Sequence, residues 1–487
     1  MGVEHGVAAK FFLFTHPSRN EGDYYAYYEL SLLLIPMITT TLLSIALSIS
    51  ALLPQAKEPT DPDRYASKHK TSQQLLEAME ALEFHGFSGA VLAAVDGEVR
   101  IACGIGMADM DGKSHNTANT LFELASLTKQ FTAAAICTLH DQKLLKLDDR
   151  ISDHLPNVPK DCKKITIRHL LQHTSGIPGS NSQGGGFDLE ALVPVFLEGG
   201  PQHKVGKHWE YWNQGYALLA GIIERTAGKN FATYCTETLF RLNGMRTACF
   251  TGDPLPKGMT EATGRGRSGR PRLALEHPYG AFGFQYQGMG GAVSNVWDLW
   301  RWHLALQGEE MLNKKTKQQL FKPGLNDYAL GWRVNKRGAL TVQFHSGSVR
   351  GFVCEMRRYP KVNGCIILLC NDDSIYPGTV ASVLEKAILE DEIPPIILPL
   401  DAEMQSLVVG HYIGSGGAEA DITADGAMTK ARLTWRESVT SPGSLGLNED
   451  GELQFLANFE AVKTKTKFNS KGKLIEFQCG ETTFKRK

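Results

Sequence analysis

Ser126 and Lys129 stand one helical turn apart in the segment Phe122-Glu-Leu-Ala-Ser126-Leu-Thr-Lys129-Gln-Phe-Thr-Ala-Ala-Ala-Ile136. On a helix, positions i and i+3 project from one face, so a hydroxyl and an amine would share that face. A serine at the start of the helix has free N–H groups and the positive end of the helix dipole nearby, which favour a developing negative charge. A lysine held in a dry pocket loses proton affinity and can take up the serine proton. Ala125, Leu127, Phe131 and the alanine run argue for that dry setting and against a solvated helix face. The same spacing recurs at Ser67 to Lys70 and at Ser470 to Lys473, but there the surrounding sequence is polar and Lys-rich and cannot desolvate an amine.

Two further groups of residues fit the same chemistry. Tyr211-Trp212-Asn213 precedes the apolar helical run QGYALLAGIIERTAG. A loop tyrosine there can bring a phenol to the nucleophile, and Asn213 offers a donor and an acceptor to a substrate amide. His345-Ser346-Gly347-Ser348 follows the β-type run LTVQF. A strand edge at that point can hydrogen-bond an extended substrate, which makes His345, Gly347 and Ser348 candidate substrate contacts. The N–H groups of Ser126 and Ser348 would form an oxyanion hole. Each group alone is an ordinary helix face, packing tyrosine or strand-end histidine; their combination and order carry the weight.

In that order, SxxK, YxN and HxG, the chain resembles the serine β-lactamase-like family: class C β-lactamases, DD-peptidases, D-aminopeptidases and related esterases. Further stretches are similar to family motifs: Leu170-Leu-Gln-His173-Thr-Ser-Gly-Ile177, Gly290-Gly-Ala-Val-Ser294 with Asp298-Leu299, Tyr328-Ala-Leu-Gly-Trp332, and Gly351-Phe352. The resemblance covers about residues 71 to 390. It implies a β-lactamase/transpeptidase-like fold and a serine hydrolase with Ser126, Lys129 and Tyr211 catalytic. The substrate would be a small ester, a D-amino-acid peptide or a β-lactam. His345 departs from the penicillin-active pattern, where a lysine is usual. Histidine is mostly neutral at pH 7, so a fixed charge for a substrate carboxylate is missing, which favours esterase or peptidase activity over β-lactamase activity. No deacylating glutamate of the class A type is found. The rival from another class is a non-catalytic scaffold or sensor of the same fold. A nucleophile elbow, GxSxG, is absent, which removes the α/β-hydrolase alternative.

The elements that must position these residues read as α+β. Residues 71 to 83 have helical spacing, and Gly89 to Cys103 reads as a hairpin about Asp96-Gly97. Helices are predicted at 126–147, 165–173, 214–227, 231–241 and 294–306, strands at 329–334, 340–345, 351–358 and 364–370, and a helix at 380–390. Early and late strands would join one antiparallel sheet flanked by the helical block. After a stiff connector at 393–401, short β runs from 402 to 487 predict a C-terminal small β-barrel or sandwich domain. The hydrolase domain is placed at 71–392.

Residues 30–53 carry no charge and are long enough to span a bilayer. The alternative is a cleaved signal segment. Residues 1–29 then form an N-terminal tail and 54–70 a polar linker. Lys57, Arg64, Lys68 and Lys70 outnumber Lys10 and Arg19, a weak bias toward a cytoplasmic catalytic part. The family resemblance implies the opposite, a membrane-associated chain whose catalytic domain is extracytoplasmic, periplasmic or secreted.

Composition excludes other classes. With 51 Lys plus Arg against 52 Asp plus Glu, the net charge is -1, so no basic footprint for nucleic acid exists. Nine scattered cysteines without a CxxC pair rule out a zinc ribbon, and most read as small buried hydrophobes with room for one or two bridges. Gly184-Gly185-Gly186 is not a phosphate loop, since no GKS or GKT follows. His203, His208 and His303 are too dispersed for HExxH-type metal spacing. No metal or organic cofactor is implied.

Overall fold

The run Gly-Ala-Val-Leu-Ala-Ala-Val at Gly89–Val95 is apolar throughout because both faces of its strand are buried. Ala90, Leu92 and Ala94 enter one core; Val91, Ala93 and Val95 enter another. The period-2 alternation of a strand divides them. This computed structural model describes residues 61–179, 186, 188–266, 269–279, 283, 284, 286–435 and 439–487. Residues 30–53, Gly184 and Gly185 lie outside them.

Seven strands make an antiparallel sheet: β1 (Arg64–Ala66), β2 (Gly89–Val95), β3 (Glu98–Ile105), β4 (Arg333–Arg337), β5 (Leu340–Val349), β6 (Phe352–Tyr359) and β7 (Gly364–Cys370), in the order β1-β3-β2-β7-β6-β5-β4. Early and late strands thus meet at β2–β7, where Leu92 faces Ile367. Asp96 and Gly97 both have positive φ, as a two-residue turn between twisted strands requires.

One sheet face packs on α1 (Ser72–Glu80) and, from late in the chain, the helix Pro377–Leu389, through Leu75, Leu76, Met79, Val380 and Leu384. The other face packs on the helical block of α2 (Thr128–Asp141), α3 (Asn213–Ala227) and α4 (Val296–Gln307). Every residue of α2 from Thr128 to Leu139 is buried, polar ones included. A helix apolar or enclosed all round lies at the centre of a core. Each large aliphatic side chain so enclosed contributes about 1.5–3 kcal/mol.

The structure corrects several expected boundaries. Residues 126–147 are not one helix: a 3₁₀ turn, Ala125–Leu127, leads into α2, which ends at Asp141. The strand expected at 329–334 starts only at Arg333, because Gly331 has φ +73° and turns the chain. A Cβ on Gly331 would lie 2.7 Å from Lys129 O, so only glycine permits this approach to α2. In the span read as a linker, β1 pairs with the free edge of β3, and Pro62 O accepts from Trp297 Nε1 at 2.7 Å. Its polar composition hid a docking edge supplied by distant residues.

The C-terminal module opens with a helix, Ala402–Val408, capped by Asp401, where a β run was expected. From Gly410 its strands join a ten-stranded sheet around Tyr412, Phe455, Phe477 and Phe484. Phe455 N, near one end of that sheet, donates to Thr464 Oγ1 at the other end, 3.0 Å away, so the sheet curls into a near-barrel. All nine cysteines are buried and free; no bridge forms. Among the described residues no helix is long and apolar enough to cross a membrane.

Candidate active site

Ala125 has φ +44°, a left-handed conformation costing a residue with a Cβ about 1–2 kcal/mol. This turn joins the short strand Phe122–Glu123 to α2 and presents Ser126 half-buried at its tip. Glu123 anchors the segment from below through a buried ion pair with Arg272 and a hydrogen bond from Tyr286. On the other side, Gly347 of β5 passes so close that a Cβ there would lie 2.4 Å from Leu124 O and 3.1 Å from Ser126 N. Glycine is required because the strand must run beside the nucleophile turn.

Lys129, one turn along, is fully buried. Its Nζ lies 3.0 Å from Ser126 Oγ, 2.9 Å from Asn213 Oδ1 and 2.9 Å from Met289 O. Burial holds its pKa well below the usual lysine range, and no carboxylate is among its hydrogen-bond partners to oppose this. The two carbonyl oxygens can only accept, so they take two amine hydrogens. A neutral amine then turns its lone pair toward Ser126 Oγ. Tyr211 OH donates to the same Oγ from 3.1 Å. Burial raises the phenol pKa, so Tyr211 stays protonated and is a donor, with the base role left to Lys129.

The structure therefore brings Ser126, Lys129, Tyr211 and Asn213 into one hydrogen-bonded group. Asn213, expected to contact substrate, has its carbonyl oxygen on Lys129. His345 is 5% exposed. Its Nδ1 lies 2.7 Å from Ser346 O and so carries the proton; its Nε2 accepts from Tyr328 OH at 2.9 Å. Burial first, and then Lys129, push its pKa down to about 3. It is neutral at pH 7, and both ring nitrogens are engaged. Ser348 is exposed on β5, opposite Val353.

Three other groups were not assigned a part from the sequence. His173, in the LLQHTSGI stretch, accepts from Trp212 N at Nδ1 (3.1 Å) and packs against Tyr211, the rings tilted by 39° with centroids 4.2 Å apart. It orients the residues flanking Trp212. Met289 acts through its backbone carbonyl, which no side-chain pattern marks. Arg333, at the start of β4, lies 5.2 Å from the Trp209 ring centroid and 5.7 Å from that of Tyr328. It forms no ion pair among the described residues, and its charge acts on Tyr211, His345 and His173. An arginine following a G-W pair in a strand gives no such hint by itself.

A family model described as Beta-lactamase matches residues 73–382. Over 414 residues, 74% of this chain and 86% of the relative, the chain is 30% identical to "Penicillin-binding protein 4*" of Bacillus subtilis (strain 168). It is 28% identical over 333 residues to "Protein flp" of Staphylococcus aureus (strain MRSA252), covering 62% of each chain, so it spans about three fifths of that relative's length. An octameric penicillin-binding protein homologue from Pyrococcus abyssi shares the fold, with a TM-score of 0.58 at 21% identity over 86% of this chain and all of that one.

Proposed function

Because the chain belongs to the beta-lactamase family, a family of serine hydrolases, we propose that it hydrolyses an ester or amide of a small, peptide-like substrate through an acyl-enzyme on Ser126. The observation that carries this reading is Ser126 Oγ held between a dry lysine amine at 3.0 Å and a phenol at 3.1 Å. Oγ attacks the carbonyl carbon as its proton passes to Lys129. The N–H groups of Ser126 and Ser348 receive the oxyanion. Tyr211 gives its proton to the departing nitrogen or oxygen and is replenished from Lys129. Water, deprotonated by the same pair, then releases the acyl group. Asn213 and Met289 keep the amine aimed. A fluorophosphonate probe should add one equivalent, on the peptide holding Ser126. A folded chain that stays unlabelled would instead support a non-catalytic scaffold.

The names of the relatives make a β-lactam one candidate substrate, and the polar groups weigh against it. His345, neutral and tied at both nitrogens, offers nothing to a substrate carboxylate. A cation in the neighbourhood is Arg333, on the adjoining strand, opposite Phe344. Esters and D-amino-acid peptides are therefore favoured, with Arg333 receiving a carboxylate where the substrate has one. Wild-type kcat/KM should be higher on short esters and such peptides than on a cephalosporin. Arg333→Gln should raise KM for a carboxylate-bearing peptide roughly tenfold, the loss of one charge-assisted contact, and leave a neutral ester unchanged. Equal losses on both substrates would remove Arg333 from carboxylate recognition.

The uncharged stretch 30–53 supports attachment to a membrane, and the family supports a catalytic part outside the cytoplasm. Removing residues 1 to 54 should yield a soluble, active hydrolase. Protease added to intact cells or spheroplasts should reach the catalytic part of the full chain. Protection until the inner membrane is lysed would reverse the orientation.

A further inference from the structure

His203 and His208, set aside by sequence spacing, converge with Glu210 on the segment leading into Tyr211. The two imidazole rings lie with centroids 3.8 Å apart. His208 Nε2 is 3.8 Å from Glu210 Oε2. The possible ligand atoms of all three residues fall within 4.8 Å of one another. His303 stands apart, in a buried network with Arg358 and Asn363.

The segment is held in place before any ion arrives. His203 N donates to Gly176 O (3.1 Å), Gly206 N to Thr174 O (2.8 Å) and Glu210 N to His173 O (3.0 Å). Gly179 N donates to Glu210 Oε1 at 2.6 Å, which fixes the carboxylate and leaves Oε2 toward the imidazoles. A ligating carboxylate is commonly steadied by such an outer hydrogen bond. Ligands around zinc at about 2.1 Å stand ~3.4 Å from one another in a tetrahedron. Closing from the present separations takes about 1 Å of side-chain adjustment, which exposed histidines can make. All three ligands come from one short, tethered stretch, so little chain entropy opposes closure.

We propose that His203, His208 and Glu210 form a binding site for a divalent ion of the zinc class, with water completing the coordination. Two imidazoles and one carboxylate suit zinc and its neighbours better than magnesium or calcium, which prefer all-oxygen sets. Lys204 and Lys207 in the same turn repel a cation, so binding is weaker than at a closed four-ligand structural site. The nine cysteines are buried and do not compete in the folded chain. The site lies next to Tyr211 in sequence but does not depend on the hydrolase reading, because its test measures binding.

The test uses the untagged full chain, stripped with a chelator and titrated with Zn²⁺ by calorimetry, and with Co²⁺ by absorption. Wild type should take up one equivalent, show a Co²⁺ spectrum with imidazole ligation, and gain thermal stability with added Zn²⁺, since an ion that binds only the folded state raises Tm. The variant His203→Ala/His208→Ala should lose all three responses while keeping the circular dichroism spectrum and the cooperative unfolding of the metal-free wild type, which shows that it is folded. Should that variant misfold, Glu210→Gln, which keeps an acceptor for Gly179 N–H, should weaken Zn²⁺ binding at least tenfold. Uptake that is equal in wild type and a folded variant, or absent from wild type, overturns the site.

Discussion

Ser126→Ala should lose turnover on the order of 10⁴-fold or more, and lose probe labelling entirely, while the chain stays folded. The covalent route disappears with Oγ, because Lys129 and Tyr211 are placed to move its proton and not to take its place on the substrate carbon. The fold should survive because the side chain is half-buried and its Cβ is retained. Burial of Lys129, not the serine hydroxyl, sets the local packing: α2 stays enclosed and Thr128 Oγ1 still accepts from Ala292 N. Intact mass after probe treatment, beside the thermal unfolding curve, reads both halves of the expectation. A probe adduct on another serine of the folded variant would falsify the assignment.

The second large effect concerns Lys129 and Tyr211 together. Lys129→Met and Tyr211→Phe should each lower kcat/KM by roughly 10²–10⁴. The double variant should be little worse than the poorer single one, because the two groups pass one proton and removing either breaks the relay. Phenylalanine keeps the ring against His173 and deletes only the hydroxyl. Methionine keeps the length of the lysine but removes the amine that donates to Asn213 Oδ1 and Met289 O, and losing a buried hydrogen bond costs about 1–3 kcal/mol, so its Tm should fall.

The pH profile separates catalysis from stability. The amine must be neutral to accept the serine proton, so kcat/KM rises as pH rises through the Lys129 pKa. Burial lowers that pKa, so activity should already be present at neutral pH rather than only near the ordinary lysine range. This acidic limb should vanish from the residual activity of Lys129→Met. Independent, multiplicative losses, or an unchanged limb in that variant, would assign the base elsewhere.

Local spacing carried much of this protein. The i,i+3 pair Ser126 and Lys129, the Asp96-Gly97 hairpin, the apolar strands and the order of the motifs are properties of neighbouring residues, and they suffice for an α+β serine hydrolase of this family. Misreadings arose where a partner lies far along the chain. The polar stretch around Arg64 became a strand because β3 left an edge open to it. The Leu407–Val409 run became a helix end under the cap of Asp401.

The working state of the site was decided by tertiary structure. Lys129 is driven toward its neutral form because burial strips its water, and its amine donates to Asn213 and Met289, 84 and 160 residues away in sequence. Both ring nitrogens of His345 are engaged, by Ser346 O and Tyr328 OH, a partnership that its place at a strand end, which made it a candidate substrate contact, did not reveal. Arg333 stands without an ion pair among the described residues, which its sequence neighbours do not reveal. The residue types were written in the sequence, but desolvation and hydrogen-bond partnership are sums over atoms that only folding brings together, and protonation follows from those sums.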